Sequence, residues 1–378
     1  MNASLSRAIG RVIWVGIRGA DPGDGLLDDE LRRCADCGVG GIILFDIDVP
    51  ELVRLREAGA PEDEARRGAP RNIRSPDQTR DLVRLIRERL GPGVVVCVDQ
   101  EGGAVSRLSP AWGFEACPPA RDFGRMSGGE RSAEARTLAH VVASVGIDLN
   151  LAPCLDVEIT PDGPGHTALG RSFGRDPARV AACAEEQIEA MHAAGVGACV
   201  KHFPGHGSAR GDSHEGLIDI TETFEAGDEL LPYRTLVHRE RSDPGRPDAV
   251  MVSHLLHRAL DPERPCSLSP RVINDLLRRD IGWEGPVLTD SLDMRAIAAR
   301  LGPGAAGVQA LRAGADIVLE ANNLTERAPC PAPEIHGAIG RAIEAGDLAE
   351  ERVLEAASRV DALRERLDEL AASGEHAS

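Results

Sequence analysis

Short runs of β-branched and aliphatic residues recur along the chain, and longer stretches with helical spacing separate them. This alternation is typical of parallel strands connected by helices. Eight runs are predicted as strands: 11–17, 40–45, 94–99, 147–152, 197–202, 249–254, 286–290 and 316–320. Eight strands alternating with helices in one chain of 378 residues favour a closed barrel over an open doubly wound sheet.

Capping residues mark where several of the intervening helices begin and end. Ser75, Asp176 and Ser269 each precede a proline. This pair starts helices because the side-chain oxygen caps free amides and proline fits the first turn. Gly91 and Gly195 stand where the first two of these helices are expected to end.

The organisation along the chain predicts one α/β domain over residues 1–378, a single (β/α)₈ barrel of the TIM type. Extra C-terminal helices are expected within 332–378, over 332–345 and 350–371. Residues 46–70, rich in charge, Gly and Pro in their second half, are expected to form a surface insertion after the second strand. No GxGxxG motif follows the first strand, so a dinucleotide-binding fold has no support.

Composition narrows the partners and the compartment. A net charge of −18 repels phosphate backbones and anionic lipids, so neither nucleic acid nor membrane is an expected partner. The first residues lack the apolar core of a signal peptide, and no apolar run reaches the ~20 residues of a membrane span. Nine cysteines without framework spacing indicate reduced thiols and a cytoplasmic protein, and the pair Cys34 and Cys37 alone is weak evidence for a metal or redox site.

Charged side chains end several predicted strands. Asp99, Lys201, His202 and Asp290 each lie at the carboxyl end of an apolar run. One such residue is as easily a helix cap, but in a barrel these ends meet at one rim, where active sites lie. The sequence therefore predicts that these four side chains form a site.

The Gly- and Pro-rich segment after the fifth strand carries further candidates. His202 and His206 have the spacing of a zinc pair, but Pro204 disfavours the helix which that arrangement needs, so no metal is expected. Asp212 and His214 suit acid/base chemistry, because a carboxylate bonded to one ring nitrogen raises the basicity of the other. A turn in which Asp212 caps backbone amides is the structural alternative.

Seven segments, in order along nearly the whole chain, match one known family. The chain resembles glycoside hydrolase family 3, specifically its single-domain β-N-acetylhexosaminidase branch. The segments are VDQEGGAVSRL (98–108), GIDLNLAPCLDV (146–157), GRSFGRDP (170–177), KHFPGHGSARGDSH (201–214), VMVSHL (250–255), LSPRVINDLLRRDIGWEGPVLTDSLDM (268–294) and GADIVLEANN (314–323).

The resemblance implies a role for each candidate. Asp290 would be the nucleophile that forms a covalent glycosyl-enzyme, and Asp212 with His214 the acid/base dyad. It also implies that four side chains hold the hydroxyls of the terminal sugar: Asp99, Arg171, Lys201 and His202.

Two features depart from the family pattern. Ala104 replaces the usual basic residue after DQEGG, which puts one contact near the sugar or the aglycone in doubt. Segment 46–70 is longer than in the commonest members and is expected at the barrel mouth, where it would reshape the aglycone site.

The expected activity is retaining hydrolysis of a terminal β-linked N-acetylglucosamine from a small saccharide or glycoconjugate, with no cofactor. A phosphorylase is the first alternative, because a histidine acid/base repels incoming phosphate less than a carboxylate does. A β-glucosidase or tailoring glycosidase is the second alternative, and a barrel that binds a ligand without catalysis is the third. The sequence leaves the oligomeric state open.

Overall fold

The computed structural model describes residues 2–159, 169–211, 216–240, 242–324 and 329–374. Eight parallel strands form its central sheet: β1 (Ile13–Gly16), β2 (Gly41–Leu44), β3 (Val95–Val98), β4 (Leu149–Asn150), β5 (Gly197–Phe203), β6 (Ala249–Val252), β7 (Val287–Thr289) and β8 (Val318–Glu320). Seven of them lie within the predicted runs, and β5 extends one residue past its run, to Phe203.

The sheet closes on itself. Neighbouring strands pair in chain order from β1 to β7, and β8 pairs with β1. A parallel bridge between Leu288 and Ile317 joins β7 to β8 and completes the ring. The predicted (β/α)₈ barrel is therefore confirmed.

The strands are buried on both faces, which explains why they read as continuous apolar runs. Alternate residues such as Ile43, Leu149, Met251 and Leu319 belong to the cluster inside the barrel. Their neighbours pack against the surrounding helices. Gly41 is required inside, since an added Cβ there would lie 2.4 Å from the Trp14 ring.

Helices surround the barrel. The longer ones are Ala3–Arg11, Gly25–Cys37, Val49–Glu57, Pro76–Leu90, Gly128–Ala143, Pro177–Ala193, Pro303–Ala313, Ala332–Glu344 and Glu350–Gly374, with the π-helical segment Arg271–Asp280. Shorter helices are Glu62–Gly68, Ala120–Phe123, Ala226–Glu229, Leu231–Val237 and Arg295–Ala298, and Pro110–Trp112 and Cys266–Leu268 are 3₁₀ turns.

The predicted caps are present. The Ser75 hydroxyl accepts from the Gln78 amide at 3.2 Å, and Asp176 accepts from the Ala178 amide at 3.0 Å. The extra C-terminal helices are confirmed as well.

The insertion after β2 folds into a helical hairpin. Helices Val49–Glu57 and Glu62–Gly68 are closed by an antiparallel bridge between Ile47 and Pro70. The hairpin has a small core of its own, in which Leu52 and Ala65 are buried and Trp112 packs from outside. Residues 46–70 are therefore an ordered wall at the carboxyl end of β2.

All nine cysteines are free thiols. The Cys34 sulfur lies 3.5 Å from the sulfur of Cys330. Its thiol neighbour is therefore a residue far away in the sequence and not Cys37. None of the helices in the described ranges combines the length and apolarity needed to cross a membrane.

Candidate active site

A cavity of about 280 Å³ opens at the carboxyl ends of the barrel strands. Five of the seven predicted site residues line it together: Asp99, Arg171, Lys201, His202 and Asp290. The other two, Asp212 and His214, lie outside the described residues.

The strands position the lining residues directly. Asp99 directly follows β3 and Asp290 directly follows β7. Lys201 and His202 lie near the carboxyl end of β5. Residues at the ends of different parallel strands converge at one rim. Arg171 reaches the same cavity from the loop after β4.

Lys201 and Arg171 are fixed by carboxylates. The Lys201 ammonium donates to Asp99 at 2.6 Å and lies 2.7 Å from Glu101. Arg171 donates two hydrogen bonds to Glu101, at 2.8 and 2.7 Å. Such bidentate pairs hold a guanidinium in one orientation, so both donors are preorganised.

Glu101 is the buried counter-ion of this array, and the sequence predictions did not include it. Burial alone would raise its pKa, but the charges of Arg171 and Lys201 outweigh burial and hold the pKa well below its ordinary value. Burial would lower the pKa of Lys201, yet Asp99 and Glu101 keep it above the ordinary value. The network is therefore charged at neutral pH.

Arg107 is a further cavity residue that sequence reasoning missed. Its guanidinium lies 3.9 Å from Asp99, 3.8 Å from Asp46 and 5.4 Å from the centre of the Phe45 ring. Arg107 lies within the matched segment 98–108, so its position could have been noted. Ala104, by contrast, is exposed at the preceding turn and does not line the cavity.

Asp156 orders the histidine-bearing segment. One of its oxygens lies 2.8 Å from His202 Nδ1, and the other accepts from the His202 and His206 amides at 3.1 and 2.8 Å. Because a carboxylate accepts, Nδ1 carries the hydrogen and Nε2 lies toward Arg171 at 3.4 Å. His202 therefore presents an acceptor nitrogen to the cavity.

Asp290 is held at the rim by its own backbone. The Ser291 amide donates to its carboxylate at 2.7 Å, and the Asp290 amide donates to Val252 at 2.9 Å. Buried His254 lies with Nε2 2.8 Å from the Ser291 carbonyl, which fixes this turn from below. His254 ends the sixth predicted run, and a polar residue at the end of a barrel strand could have indicated a place near the site.

Glycines allow the segment after β5 to pack closely. An added Cβ at Gly205 would lie 2.5 Å from the Glu229 carboxylate, and one at Gly207 would lie 1.5 Å from the Val157 carbonyl. Gly205 also has φ 149°, a conformation that favours glycine. Gly205 and Gly207 are thus required by close contact with the helix Ala226–Glu229 and with the loop that carries Val157.

A cation site fits poorly here. Cys154, Asp156 and His202 offer ligand-type atoms within 4.8 Å of one another, the one such group among the residues that the structure describes. Burial keeps the pKa of Cys154 well above its ordinary value, so its thiolate is disfavoured. Arg171 next to His202 further repels a cation.

Asn150 and Trp112 make contacts near the cavity without lining it. Asn150 exchanges two hydrogen bonds with the Gln100 backbone, at 3.0 and 2.9 Å, next to Asp99. Trp112 packs on the insertion and does not line the cavity.

A barrel whose carboxyl-end cavity holds carboxylates beside fixed cationic donors has the architecture of an enzyme that acts on a polyhydroxylated substrate. The model of the glycosyl hydrolase family 3 N terminal domain matches residues 28–363. The chain belongs to glycosyl hydrolase family 3 and is a glycoside hydrolase.

Similar proteins agree with this assignment. A β-hexosaminidase of Stenotrophomonas maltophilia is 36% identical over 257 residues, which cover 66% of this chain and 73% of that protein. The structure of a family 3 β-N-acetylglucosaminidase from Paenibacillus sp. FPU-7 is 29% identical with a TM-score of 0.79, covering 100% of this chain and 68% of that one. The structure of LpqI from Mycobacterium tuberculosis is 31% identical with a TM-score of 0.73, covering 96% and 94%.

Proposed function

We propose that this protein removes a terminal β-linked N-acetylglucosamine by a retaining, double-displacement mechanism. The observation that carries the proposal is that the Asp290 carboxylate shares one cavity with Asp99, Arg171 and Lys201. The names of the similar proteins, β-hexosaminidase and β-N-acetylglucosaminidase, support the choice of sugar.

Asp290 is proposed as the nucleophile. Its carboxylate attacks the anomeric carbon, the bond to the leaving oxygen breaks, and a covalent glycosyl-enzyme forms. The Ser291 amide holds one carboxylate oxygen at 2.7 Å, so the attacking group has a defined orientation. Water then displaces Asp290 and restores the β-configuration.

Asp99, Arg171, Lys201 and His202 are proposed to hold the sugar hydroxyls. The Lys201–Asp99 pair offers a donor and an acceptor side by side, which matches vicinal hydroxyls. Such fixed charged groups discriminate strongly against a sugar that lacks a hydroxyl at the matching position.

Asp212 and His214 are proposed as the acid/base dyad on the evidence of the sequence. They follow the described segment that carries His202 and His206 and ends at Gly211. In this role His214 protonates the leaving oxygen and later takes the proton of the attacking water.

We also propose that residues 1–378 act as one catalytic unit in the cytoplasm. The barrel draws its strands from Ile13 to Glu320, and the helix Glu350–Gly374 packs into it, which supports a single unit. Nine free cysteines are typical of a reducing compartment.

Product analysis tests the activity. With p-nitrophenyl β-N-acetylglucosaminide, proton NMR is expected to show the β-anomer of free N-acetylglucosamine as the first product. Millimolar phosphate is expected to leave the product unchanged. Release of the sugar 1-phosphate would establish the phosphorylase instead, and faster turnover of the matching β-glucoside would reject the sugar assignment.

The dyad is tested by leaving-group dependence. His214→Ala is expected to lower kcat/KM about 10²- to 10⁴-fold for an alkyl glycoside, whose alcohol needs a proton, and much less for a dinitrophenyl glycoside. Asp290→Asn is the comparison, because loss of the nucleophile should abolish turnover of both substrates. Equal losses for the two substrates with His214→Ala would refute its role as acid.

A further inference from the structure

Above a floor of barrel side chains such as Leu151 and Met251, the cavity has two chemically distinct halves. The polar half holds Asp99, Arg171, Lys201 and Asp290, at the strand ends. Beyond them, at the mouth, six aliphatic or thioether side chains from the loops form what we call the apolar rim: Ile47, Val49, Val105, Leu169, Met294 and Leu324. The rim is therefore built by the loops after β2, β3, β4, β7 and β8.

The proposed function decides which half holds which part of the substrate. The terminal sugar must place its anomeric carbon at Asp290, among the charged donors of the polar half. The leaving group extends toward solvent, because the barrel interior below is filled by side chains such as Leu151 and Met251. The aglycone therefore passes between the residues of the apolar rim.

Polar side chains at the rim are already engaged within the protein. Asn323 accepts from Arg71 at 2.6 Å and donates to the Ile47 carbonyl at 3.1 Å. Ser291 donates to Asp293 at 2.5 Å, and Asp293 in turn accepts from the Asn323 amide. A hydroxyl-rich aglycone placed here would lose water and find few equivalent partners among the described residues, chiefly Arg107 between Asp46 and Asp99.

Leu169 shows that the rim has apolar surface to cover. It lines the cavity and is 47% exposed, and Val49, Val105 and Leu324 are half-buried. An apolar group that covers these side chains removes area from water and binds more tightly for that reason.

We propose that the apolar rim is an aglycone subsite for alkyl chains or hydrophobic rings, so that apolar glycosides are preferred to oligosaccharides. The inference rests on the proposed function of the same cavity. Ile47 and Val49 belong to the insertion 46–70, so the folded hairpin supplies part of this specificity.

A chain-length series tests the subsite. Ethyl, butyl and hexyl β-N-acetylglucosaminides have leaving alcohols of nearly equal acidity, so differences in kcat/KM report binding of the chain. We expect kcat/KM to rise about two- to fourfold per added methylene. The hexyl glycoside is expected to be cleaved more efficiently than the β-1,4-linked N-acetylglucosamine disaccharide.

Variants locate the effect. Val49→Thr and Leu169→Asn nearly keep side-chain size but add polarity, and they should flatten the series by lowering kcat/KM most for the hexyl glycoside. Val53→Thr is the matched control, since Val53 lies in the same helix, is 44% exposed and does not line the cavity. It should leave the series intact.

The outcomes separate this inference from the proposed function. A flat series with normal release of N-acetylglucosamine, or faster cleavage of the disaccharide, overturns the apolar subsite alone. No release from any of these glycosides overturns the proposed function, and the subsite assignment with it. Flattening by Val53→Thr equal to that by Val49→Thr would place the effect outside the rim and overturn the assignment.

Discussion

At the scale of single residues, Glu229 is a buried acid close to the segment that carries His202 and His206. Its side chain is fully buried against Gly205, at the carboxyl end of the short helix Ala226–Glu229. Burial raises the pKa of Glu229 to about 7, and the nearby Asp156 adds to the effect while Ser208 opposes it. Ionisation of this group near neutral pH therefore places a charge in a buried site.

Glu229→Gln should stabilise the protein increasingly as pH rises. In the folded protein the pKa of Glu229 is about 7, above its ordinary value of 4.5. Between these two pH values the folded state binds a proton that the unfolded state has lost, so the wild-type protein loses stability as pH rises from 4.5 through 7. Glutamine keeps the neutral shape at all pH values. The gain in the free energy of unfolding over wild type should grow by roughly 2 to 3 kcal/mol between pH 5 and 8.

Urea denaturation across this pH range measures the gain. Glu222→Gln is the control for the effect of net charge, because it removes the same charge from an exposed position in the same connection. A Glu229→Gln difference that stays constant from pH 5 to 8 would contradict the assignment of this titration to Glu229.

The sequence predicts single residues well where they end an apolar strand. Asp99, Lys201, His202 and Asp290 could be placed at one rim because parallel strands all point the same way. Glu101 could not, since its role depends on ion pairs with residues 70 and 100 positions away. Chain spacing carries no information about such pairs.

At the scale of elements, the eight strands were predictable because burial on both faces gives them predominantly apolar runs. Their ends were less so: β4 comprises only Leu149–Asn150 of the predicted run 147–152. Beyond this run, Cys154 forms an isolated parallel β-bridge with Lys201, outside the regular strand pairing. Hydrophobic residues indicate that a segment is buried. A regular strand also needs hydrogen bonds to a neighbouring strand in the correct register.

The hairpin after β3, with strands Gln100–Gly102 and Val105–Ser106, was not predicted. It is too short for an alternating pattern, and its register shifts between Gln100 and Gly102. The helix Glu62–Gly68 was not predicted either, because Ala65 is its one buried residue and no apolar periodicity marks it. Tertiary packing, not local sequence, decides such elements.

The insertion as an element is tied to the barrel through charged and polar contacts. Asp48, which caps its first helix, pairs with buried Arg18. Arg71, just after the insertion, donates to the Asn322 carbonyl at 2.8 Å. These contacts join the loops after β1, β2 and β8, so the wall that carries Val49 is held in place relative to Asp290.

At the scale of the whole molecule, the barrel has one end that carries the cavity and an opposite end, which we call the structural end. The helix Glu350–Gly374 covers the structural end, where Val360, Leu363, Leu367 and Leu370 join the cluster inside the barrel. Three aspartates stand just before alternate strands β4, β6 and β8: Asp148, Asp248 and Asp316. Each accepts a backbone amide of the adjacent strand, at 2.8, 2.8 and 3.0 Å in that order.

Arginines of the covering helix pair with the same three aspartates. Arg364 lies 3.0 Å from Asp148, Arg366 lies 3.5 Å from Asp248, and Arg359 lies 3.1 Å from Asp316. Each aspartate therefore links the ring of strands to the helix that closes it.

Asp316→Asn should destabilise the fold without impairing the chemistry. Asp316 is fully buried and pairs with Arg278, Arg352 and Arg359, so asparagine leaves three guanidinium groups without their shared counter-ion. Removing one member of a buried ion network costs about 3 to 5 kcal/mol in the free energy of unfolding. Urea denaturation at pH 7 measures this loss.

Asp361→Asn provides the matched control, since Asp361 lies on the same helix and pairs with Arg11 at the surface. Loss of an exposed pair should cost less than about 1 kcal/mol. In conditions where both variants are folded, kcat/KM should stay at the wild-type value, because Asp316 lies at the opposite end of the barrel from Asp290. If Asp316→Asn were as stable as Asp361→Asn, the aspartates would not be what fastens the closing helix to the barrel.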